Sequence, residues 1–250
     1  MGVIFEGDKV ILDHVNLGKL TFPESAFGDF RYCGSRDMPY YETFKLIEKH
    51  VKPGCVFFDI GAHFGMVSLQ FGKLSATFSN QSTTIYAFEV NPVVHECLEL
   101  NFKNNLPSNV QYKIFHNAVS DIHDSTINYN MPKPTRGETW CSYGSFGIDN
   151  GGPRSNEFIP IKTMTIDSVD IKPDIIKLDV EGYELNVLKG MEETLAVHRP
   201  LLLMEMNNNS SNDAPEIRQL LRRHKYQPRY KNHKDDILFV PSLALNLESK

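Results

Sequence analysis

The stretch from Val56 to Gly65 constrains the fold most, because it has the pattern of a buried strand, a glycine-bearing turn and the start of a helix. Its apolar residues form a short continuous run, as in a parallel strand that is covered on both faces. Asp59 stands at the carboxyl edge of this strand, where open α/β sheets bind ligands. Gly61 and Gly65 lack a Cβ, so they let the backbone turn sharply and let a ligand approach. The stretch therefore predicts a ligand-binding turn.

The spacing of the glycines distinguishes between two kinds of cofactor. Dinucleotide-binding turns follow the pattern G-x-G-x-x-G, in which the second glycine makes room for a pyrophosphate. Here Ala62 and His63 follow Gly61, which gives acid-x-G-x-x-x-G. This form resembles the turn of class I S-adenosylmethionine-dependent methyltransferases, whose cofactor has an ammonium group in its methionine part that suits the acidic Asp59. An ordinary strand and turn would explain the apolar residues but not an Asp among them.

The rest of the chain alternates between helix and strand patterns. Strand patterns lie at residues 85–89, 110–115, 174–180, 201–206, 226–230 and 236–240, and helix patterns at 66–74, 92–102, 181–196 and 213–224. This order predicts an α/β fold with a doubly wound, mostly parallel seven-stranded sheet. We expect helices on both faces and an antiparallel last strand, which is the Rossmann-like architecture of class I methyltransferases.

Two polar positions follow later strands of this sheet. Glu89 ends the second strand, and an acid at that place accepts hydrogen bonds from the ribose hydroxyls of either NAD or S-adenosylmethionine. Asn117 follows the third strand, where this class usually has a polar residue that faces the adenine amino group. Glu89 thus supports nucleoside binding, while the glycine spacing selects the cofactor.

Two regions depart from the alternation. Residues 1–50, with a small hairpin over residues 1–22 and a helix that begins near Tyr41, are predicted to extend a methyltransferase domain of residues 51–250. Residues 122–163 interrupt the domain with a stretch rich in Gly, Ser, Pro and Asn that includes Trp140. Loops this long are usually functional or disordered. The aromatic residues favour a lid that binds the acceptor over a mobile insertion.

Composition excludes several classes of protein. A formal net charge of −5 without a long basic run argues against a nucleic-acid partner. The four cysteines are scattered and form no C-x-x-C pair, so we interpret them as reduced thiols of a cytoplasmic protein. No apolar segment is long enough to predict a membrane span.

The segment Ile176–Glu184 narrows the resemblance to one family. Together with Asp59–Ala62, Ala87–Glu89 and Ala118–Asp121 it resembles the FkbM family of methyltransferases. Three further features fit the family: Tyr41 with Glu42, Leu188–Gly190 and the strand that ends at Glu205. The whole match covers roughly residues 40 to 207. The resemblance implies O-methylation of sugars, polyketides or related small molecules.

The resemblance also implies a set of cofactor-binding residues. These are Glu42, Asp59, Gly61, Ala62, His63, Gly65, Glu89, Val90, Asn117 and Ala118. Two of them depart from the family pattern, because the family often has Asn in place of His63 and Pro directly after the acid, where this chain has Val90. His63 either changes the contact to the methionine carboxylate or caps the helix.

The strand ends predict where the chemistry takes place. Asp179 and Glu205 end neighbouring strands, and Lys177 shares a strand face with Asp179, so these groups are expected to converge. In one interpretation Asp179 or Glu205 accepts the hydroxyl proton, while Glu181 and Lys177 shape its environment. In a second, Asp179 and Glu205 bind a divalent cation such as Mg²⁺. In a third, these charges only orient the following helix.

We therefore expect an S-adenosylmethionine-dependent O-methyltransferase that acts on a sugar or glycoconjugate hydroxyl. Glycan modification would make a glycosyltransferase a sensible partner. O-methylation of a non-sugar molecule such as a polyketide is the alternative within the class. A nicotinamide-dependent oxidoreductase and a noncatalytic binding module are the alternatives from other classes.

Overall fold

The computed structural model of the chain describes residues 2–26, 40–78, 82–132, 154–206, 213–232 and 235–242. Its helices and strands are β1 (Val3–Glu6), β2 (Lys9–His14), β3 (Gly18–Pro23), α1 (Tyr41–Glu48), β4 (Val56–Ile60), α2 (Met66–Ser75), β5 (Thr83–Phe88), α3 (Pro92–Asn105), β6 (Val110–Phe115), β7 (Ala118–Val119), β8 (Thr126–Pro132), β9 (Arg154–Met164), β10 (Ile175–Leu178), α4 (Glu184–Lys189), β11 (Leu201–Glu205), α5 (Ala214–Arg223), β12 (Tyr226–Lys231) and β13 (Asp236–Pro241). Short 3-10 turns lie at Glu24–Ala26 and Ile166–Ser168, and a π-helical turn at Thr194–His198.

The central sheet has seven strands in the order β12-β13-β11-β10-β4-β5-β6. Strands β4, β5, β6, β10 and β11 pair in parallel, whereas β13 is antiparallel to β11 and to β12. The predicted α/β fold with its antiparallel last strand is thus confirmed. Because β4 lies at the point where the strand order reverses, the turn after it opens at the edge where such sheets bind ligands.

Both faces of β4 are buried, as its continuous apolar run predicts. Phe57 belongs to the core on one face and stacks on Phe71 of α2 at 4.4 Å between ring centroids. Phe58 and Ile60 belong to the core on the other face, beneath α4 and α5. Full burial of one such side chain stabilises the fold by about 1.5–3 kcal/mol, so β4 is held rigidly at the centre of the sheet.

The amino-terminal strands form a separate antiparallel sheet in the order β1-β2-β3. The predicted hairpin corresponds to β2 and β3, and the sequence pattern missed β1 because Val3–Glu6 is exposed and lacks a buried face. This sheet packs on α3, where the side chain of Asn101 accepts from Thr21 N at 2.6 Å and donates to Thr21 O at 3.1 Å. The first strands are therefore attached to the core by buried polar contacts as well as by apolar packing.

Strands β8 and β9 form an antiparallel ribbon, and β9 also pairs with β7. The connection between β8 and β9, residues 133–153, lies outside the described residues, and so does Trp140. The acceptor lid over residues 122–163 and the domain boundary at residue 51 stay predictions. Among the described residues, no helix is long and apolar enough to cross a bilayer.

Candidate active site

The turn after β4 is fixed by contacts with neighbouring strands. Gly61 N and Ala62 N both donate to Phe88 O at 3.0 Å, which ties the turn to the end of β5. Gly61 has a φ of 74°, and a Cβ there would overlap the backbone carbonyl oxygen of Asp179. The close approach that requires glycine at position 61 is therefore between the turn and the backbone of Asp179. It brings the β4 turn and the end of β10 together.

Gly65 has a packing role at the start of α2. It is the N-cap residue with a φ of 84°, and a Cβ there would press on the side chains of Leu98 and Phe102 of α3. Gly65 thus permits α2 and α3 to pack closely. The predicted contact of Gly65 with the cofactor stays a prediction.

Asp59 is completely buried beneath the turn. Its Oδ2 accepts a hydrogen bond from Ser68 Oγ at 2.6 Å, and its Oδ1 lies 3.4 Å from Lys177 Nζ. Burial raises the pKa of Asp59, while the ammonium of Lys177 and the hydroxyl of Ser68 oppose that rise. Ser68 was not predicted as a site residue, although a hydroxyl in the first turn of α2, nine residues after the acid, was a detectable signal.

Glu89 follows β5 and connects the segments that follow β4 and β5. Its Oε2 accepts from His63 N at 2.8 Å and its Oε1 accepts from Asn91 N at 2.9 Å. Burial raises the pKa of Glu89 to about 7, although both backbone donors lower it. Each carboxylate oxygen has a second lone pair, so this fixed carboxylate fits the pair of ribose hydroxyls predicted from the sequence.

His63 lies beside this carboxylate with a φ of 52°. Burial lowers the pKa of its imidazole to about 4, so the ring is neutral at neutral pH. Its Nε2 is buried and has no hydrogen-bond partner within the described part of the chain. The ring lines a small cavity with Gly61, Ala62, Lys177 and four further residues: Tyr40, Met66, Val67 and Asp179.

The residues that line this cavity suit the methionine part of S-adenosylmethionine in their chemistry, because they combine charged groups with an imidazole nitrogen that has no partner among the described residues. Glu89, at the adjoining strand end, fits the ribose. The residues present therefore suit the cofactor that the sequence predicted. Tyr40 was not predicted as a lining residue, because its position before α1 gives no periodic signal.

Lys177 is directed into the protein. Its Nζ lies 2.9 Å from Gly61 O, 3.4 Å from Asp59 Oδ1 and 3.4 Å from Asp179 Oδ2. Burial alone would lower the pKa of Lys177, but the carboxylates of Asp179 and Asp59 outweigh it and raise the pKa. The ammonium thus donates to Gly61 O and forms ion pairs with both carboxylates. Lys177 thus acts on the site through Asp179 and the turn.

The three predicted acids converge at the ends of β10 and β11. One carboxylate oxygen from each of Asp179, Glu181 and Glu205 lies within 4.8 Å of the others. Burial, followed by the charges of Asp179, Glu181 and Asp236, raises the pKa of Glu205 to about 8. The cluster can therefore take up a proton near neutral pH. Its oxygen atoms are also of the kind that a divalent cation binds.

The loop that carries Glu181 is held in an uncommon conformation. Glu181 has a φ of 55° and Gly182 a φ of 98°. The buried Glu184 stabilises this loop, because its Oε1 accepts from Val180 N at 3.2 Å and from Gly182 N at 3.0 Å. Glu184 was part of the motif, but no role was assigned to it, since its backbone partners depend on loop geometry.

Four further predicted residues are not among those that line the cavity. Glu42 is in the first turn of α1, two residues after Tyr40. Val90 O lies 3.1 Å from His116 Nε2, and Asn117 Nδ2 donates to Lys162 O at 3.2 Å. Ala118 is buried in β7. The amide of Asn117 thus has a protein partner, and its contact with adenine stays a prediction, as do the cofactor contacts of the other three residues.

Comparison with known proteins gives matches over most of the chain. A sequence model described as the methyltransferase FkbM domain matches residues 59–228. The hexuronic acid methyltransferase AglP of Haloferax volcanii is 25% identical over 159 residues, which cover 62% of this chain and 57% of that protein. The match thus spans little more than half the length of this relative.

Two solved structures are similar in fold. The methyltransferase FkbM from Methylobacillus flagellatus has a TM-score of 0.48 and 18% identity, covering 75% of this chain and 43% of that chain. The magnesium protoporphyrin IX methyltransferase of Synechocystis, solved with bound S-adenosylmethionine, has a TM-score of 0.46 and 9% identity, covering 87% of this chain and 93% of that chain.

Proposed function

Because this chain belongs to the FkbM family of methyltransferases, we propose that it transfers a methyl group from S-adenosylmethionine to a hydroxyl of a sugar or glycoconjugate. The observation that carries the proposal is the convergence of Asp179, Glu181 and Glu205 at the sheet edge beside the cavity that His63 and Gly61 line. A hydroxyl is a weak nucleophile until its proton is removed. The carboxylates supply a group that can accept it.

S-adenosylmethionine supplies an activated methyl group on a sulfonium when bound. The chain's own residues supply alignment and charge. Glu89 would hold the ribose hydroxyls, and the turn at Gly61–His63, which lines a cavity with Asp179, would hold the methionine part. In-line transfer requires the acceptor oxygen to be held on the far side of the methyl carbon. We assign this role to the side chains at the carboxyl edge.

Asp179 and Glu205 act together in proton transfer. The ammonium of Lys177 lies 3.4 Å from Asp179 and balances its charge, whereas Glu205 faces the carboxyl groups of Asp179, Glu181 and Asp236. Burial and the repulsion among these acids raise the pKa of Glu205 to about 8. The pair accepts the hydroxyl proton most readily when it holds no proton of its own.

A sugar acceptor is supported by the similarity to a hexuronic acid methyltransferase, although that similarity spans 57% of the relative. The acidic cluster adds an expectation about charge. Because the carboxyl groups of Asp179, Glu181 and Glu205 are clustered, a uronic acid should bind less well than the corresponding neutral hexose. A divalent cation between the carboxylates and the uronic acid would reverse that preference.

The experiment that tests the proposal is transfer of labelled methyl from S-adenosylmethionine into fractionated glycans. Matched neutral hexosides and hexuronosides, together with polyketide hydroxyls, are tested in parallel. Each reaction is run with a chelator and with Mg²⁺ or Mn²⁺ restored. Label in a sugar fraction with chelator present supports the proton-acceptor mechanism, whereas label only after a cation is restored supports the metal mechanism.

Two results would contradict the sugar proposal. Label confined to the polyketide fraction would move the acceptor to the non-sugar class. Absence of label from every fraction, with S-adenosylmethionine binding established by calorimetry, would support a noncatalytic binding module. The family match does not support the oxidoreductase alternative. Binding of NAD, measured by the same calorimetry, would support it.

A further inference from the structure

A cavity with a volume of about 540 Å³ lies at the sheet edge opposite the candidate active site. Its walls come from the connection between α1 and β4, the starts of β10 and β11, and the strands β12 and β13. A five-residue strand such as β4 spans about 16 Å, and the acids of the candidate active site stand at its other end. The two sites are therefore separate.

The lining of this cavity is basic. Lys52, Arg199 and Arg229 line it, whereas Asp174 is the acid in the lining. The carboxylate of Asp174 already accepts from Val56 N at 2.8 Å. If His50 is counted as neutral, three cations and one carboxylate give the lining a formal charge of +2. The net charge of the whole protein is −5. This local excess attracts a small anion with more than one negative charge.

Arg199 provides the most specific observation. Its Nε and one terminal nitrogen, Nη2, are buried and have no hydrogen-bond partner among the residues that the structure describes. The guanidinium is held on other sides, because Nη1 contacts His224 O at 3.4 Å and the ring of Tyr226 lies 5.9 Å away. Buried donors without acceptors cost about 1–3 kcal/mol each. A guanidinium that turns toward an anion in the cavity gains the missing acceptors.

We propose that this cavity binds a phosphate group carried by a small molecule, with Arg199 in the wall and Lys52 and Arg229 at the exposed rim. A guanidinium donates two parallel hydrogen bonds to a phosphate, and a phosphate dianion matches the local charge better than a carboxylate does. The volume is in the range of small-molecule sites. Pro53, Leu201 and Val240 offer apolar contacts for the rest of the ligand.

Calorimetry on the full chain tests this proposal with pyrophosphate, inorganic phosphate and acetate as probes. Lys52→Gln and Arg229→Gln are exposed substitutions that leave the core intact, and each should weaken pyrophosphate binding about tenfold. Arg218→Gln removes the same charge from an exposed position on α5 and is the matched control, which should bind like the unaltered chain. Saturating S-adenosylmethionine should not displace the probe.

Four results would overturn the proposal. They are no measurable binding of either phosphate probe, equal weakening in Arg218→Gln, displacement of the probe by S-adenosylmethionine, and acetate binding as strong as that of phosphate. None of them depends on methyl transfer, so the proposed function and this site are tested independently.

Discussion

The ammonium nitrogen of Lys177 lies 3.4 Å from Oδ1 of Asp59, and both side chains are almost completely buried. The same nitrogen lies 3.4 Å from Asp179 Oδ2 and 2.9 Å from the carbonyl oxygen of Gly61. One lysine thus connects the cofactor turn to the acid that we place at the reacting hydroxyl. Its removal should affect the fold first and the chemistry second.

Substitution of Lys177 by Met should lower the free energy of unfolding by about 3–5 kcal/mol, because it leaves a buried carboxylate without its partner. Unfolding in urea measures the change. Asp59→Asn in the same chain should restore part of the loss. Lys189→Met is the matched control, since Lys189 pairs with Glu216 at the surface and should matter little. Equal losses in the two lysine variants would contradict the connecting role.

Substitution of Asp179 by Asn should reduce methyl transfer about 10²–10⁴-fold, the usual range for loss of a general base. Binding of S-adenosylmethionine should stay mostly intact, because Gly61, His63 and Glu89 are unchanged. Single-turnover transfer and calorimetry measure the two quantities. Asp170→Asn, at an exposed position, is the control. Unchanged turnover in Asp179→Asn would remove this residue from the mechanism.

The rate of transfer should rise with pH through about 8. Burial and neighbouring acids raise the pKa of Glu205 to about 8, so Glu205 is mostly ionised only above that pH, and a base must be ionised to accept a proton. A profile of kcat/KM against pH measures the midpoint of this rise. Glu181→Gln should move it to lower pH, because it removes one of the charges that raise the pKa. A flat profile across this range would exclude the pair as the base.

Affinity for S-adenosylmethionine should rise as pH increases through about 7. Burial raises the pKa of Glu89 to about 7, and ribose hydroxyls donate to the ionised carboxylate, so binding favours loss of the proton. Glu89→Gln should weaken binding at least about tenfold and remove the pH dependence, as measured by calorimetry. Glu99→Gln, exposed on α3, should retain both.

Glu89 should also affect the stability of the protein without cofactor. Its folded pKa of about 7 lies above the ordinary value of 4.5. The stability contributed by the protonated form is fully present below pH 4.5 and is lost as pH rises through 7. Urea unfolding at several pH values measures this loss. A decline of the same size in Glu89→Gln would assign it to other groups.

Substitution of Gly61 by Ala should destabilise the protein far more than substitution of Gly7 by Ala. Both glycines have positive φ, 74° at Gly61 and 64° at Gly7. That conformation costs an alanine about 1–2 kcal/mol. A Cβ at Gly7 meets nothing within 4 Å, whereas one at Gly61 overlaps the backbone of Asp179. Thermal unfolding compares the two variants, and equal shifts would mean that the contact between the turn and β10 yields easily.

Much of the fold could be predicted from periodicity. The apolar run at Phe57, Phe58 and Ile60 predicts a strand buried on both faces, and both faces are covered. The exposed β1 was missed, because a strand without a buried face has no periodic apolar signal. The parallel pairing of most strands follows from their alternation with helices, since parallel strands need a crossover between them.

The sequence by itself determined which carboxylates would stand at strand ends, since a strand's carboxyl end can be located from its pattern. Only the tertiary structure decided what those groups contact. Lys177 and Asp179 are neighbours on one strand, but the burial of Lys177 between Asp59 and Asp179 depends on how β10 pairs with β4. Packing likewise decides the hydrogen bond from Ser68 and the hydrogen bonds that Glu184 accepts from its loop. It also decides whether each acid is exposed or buried.

The basic cavity at the opposite edge had no signal in the sequence. Lys52, Arg199 and Arg229 are far apart in the chain and follow no motif. They meet because the starts of parallel strands from different parts of the chain lie at one edge of the sheet. Local sequence patterns predict the conformation of a segment. Charge balance and burial arise from contacts between distant segments, and these contacts exist only in the folded chain.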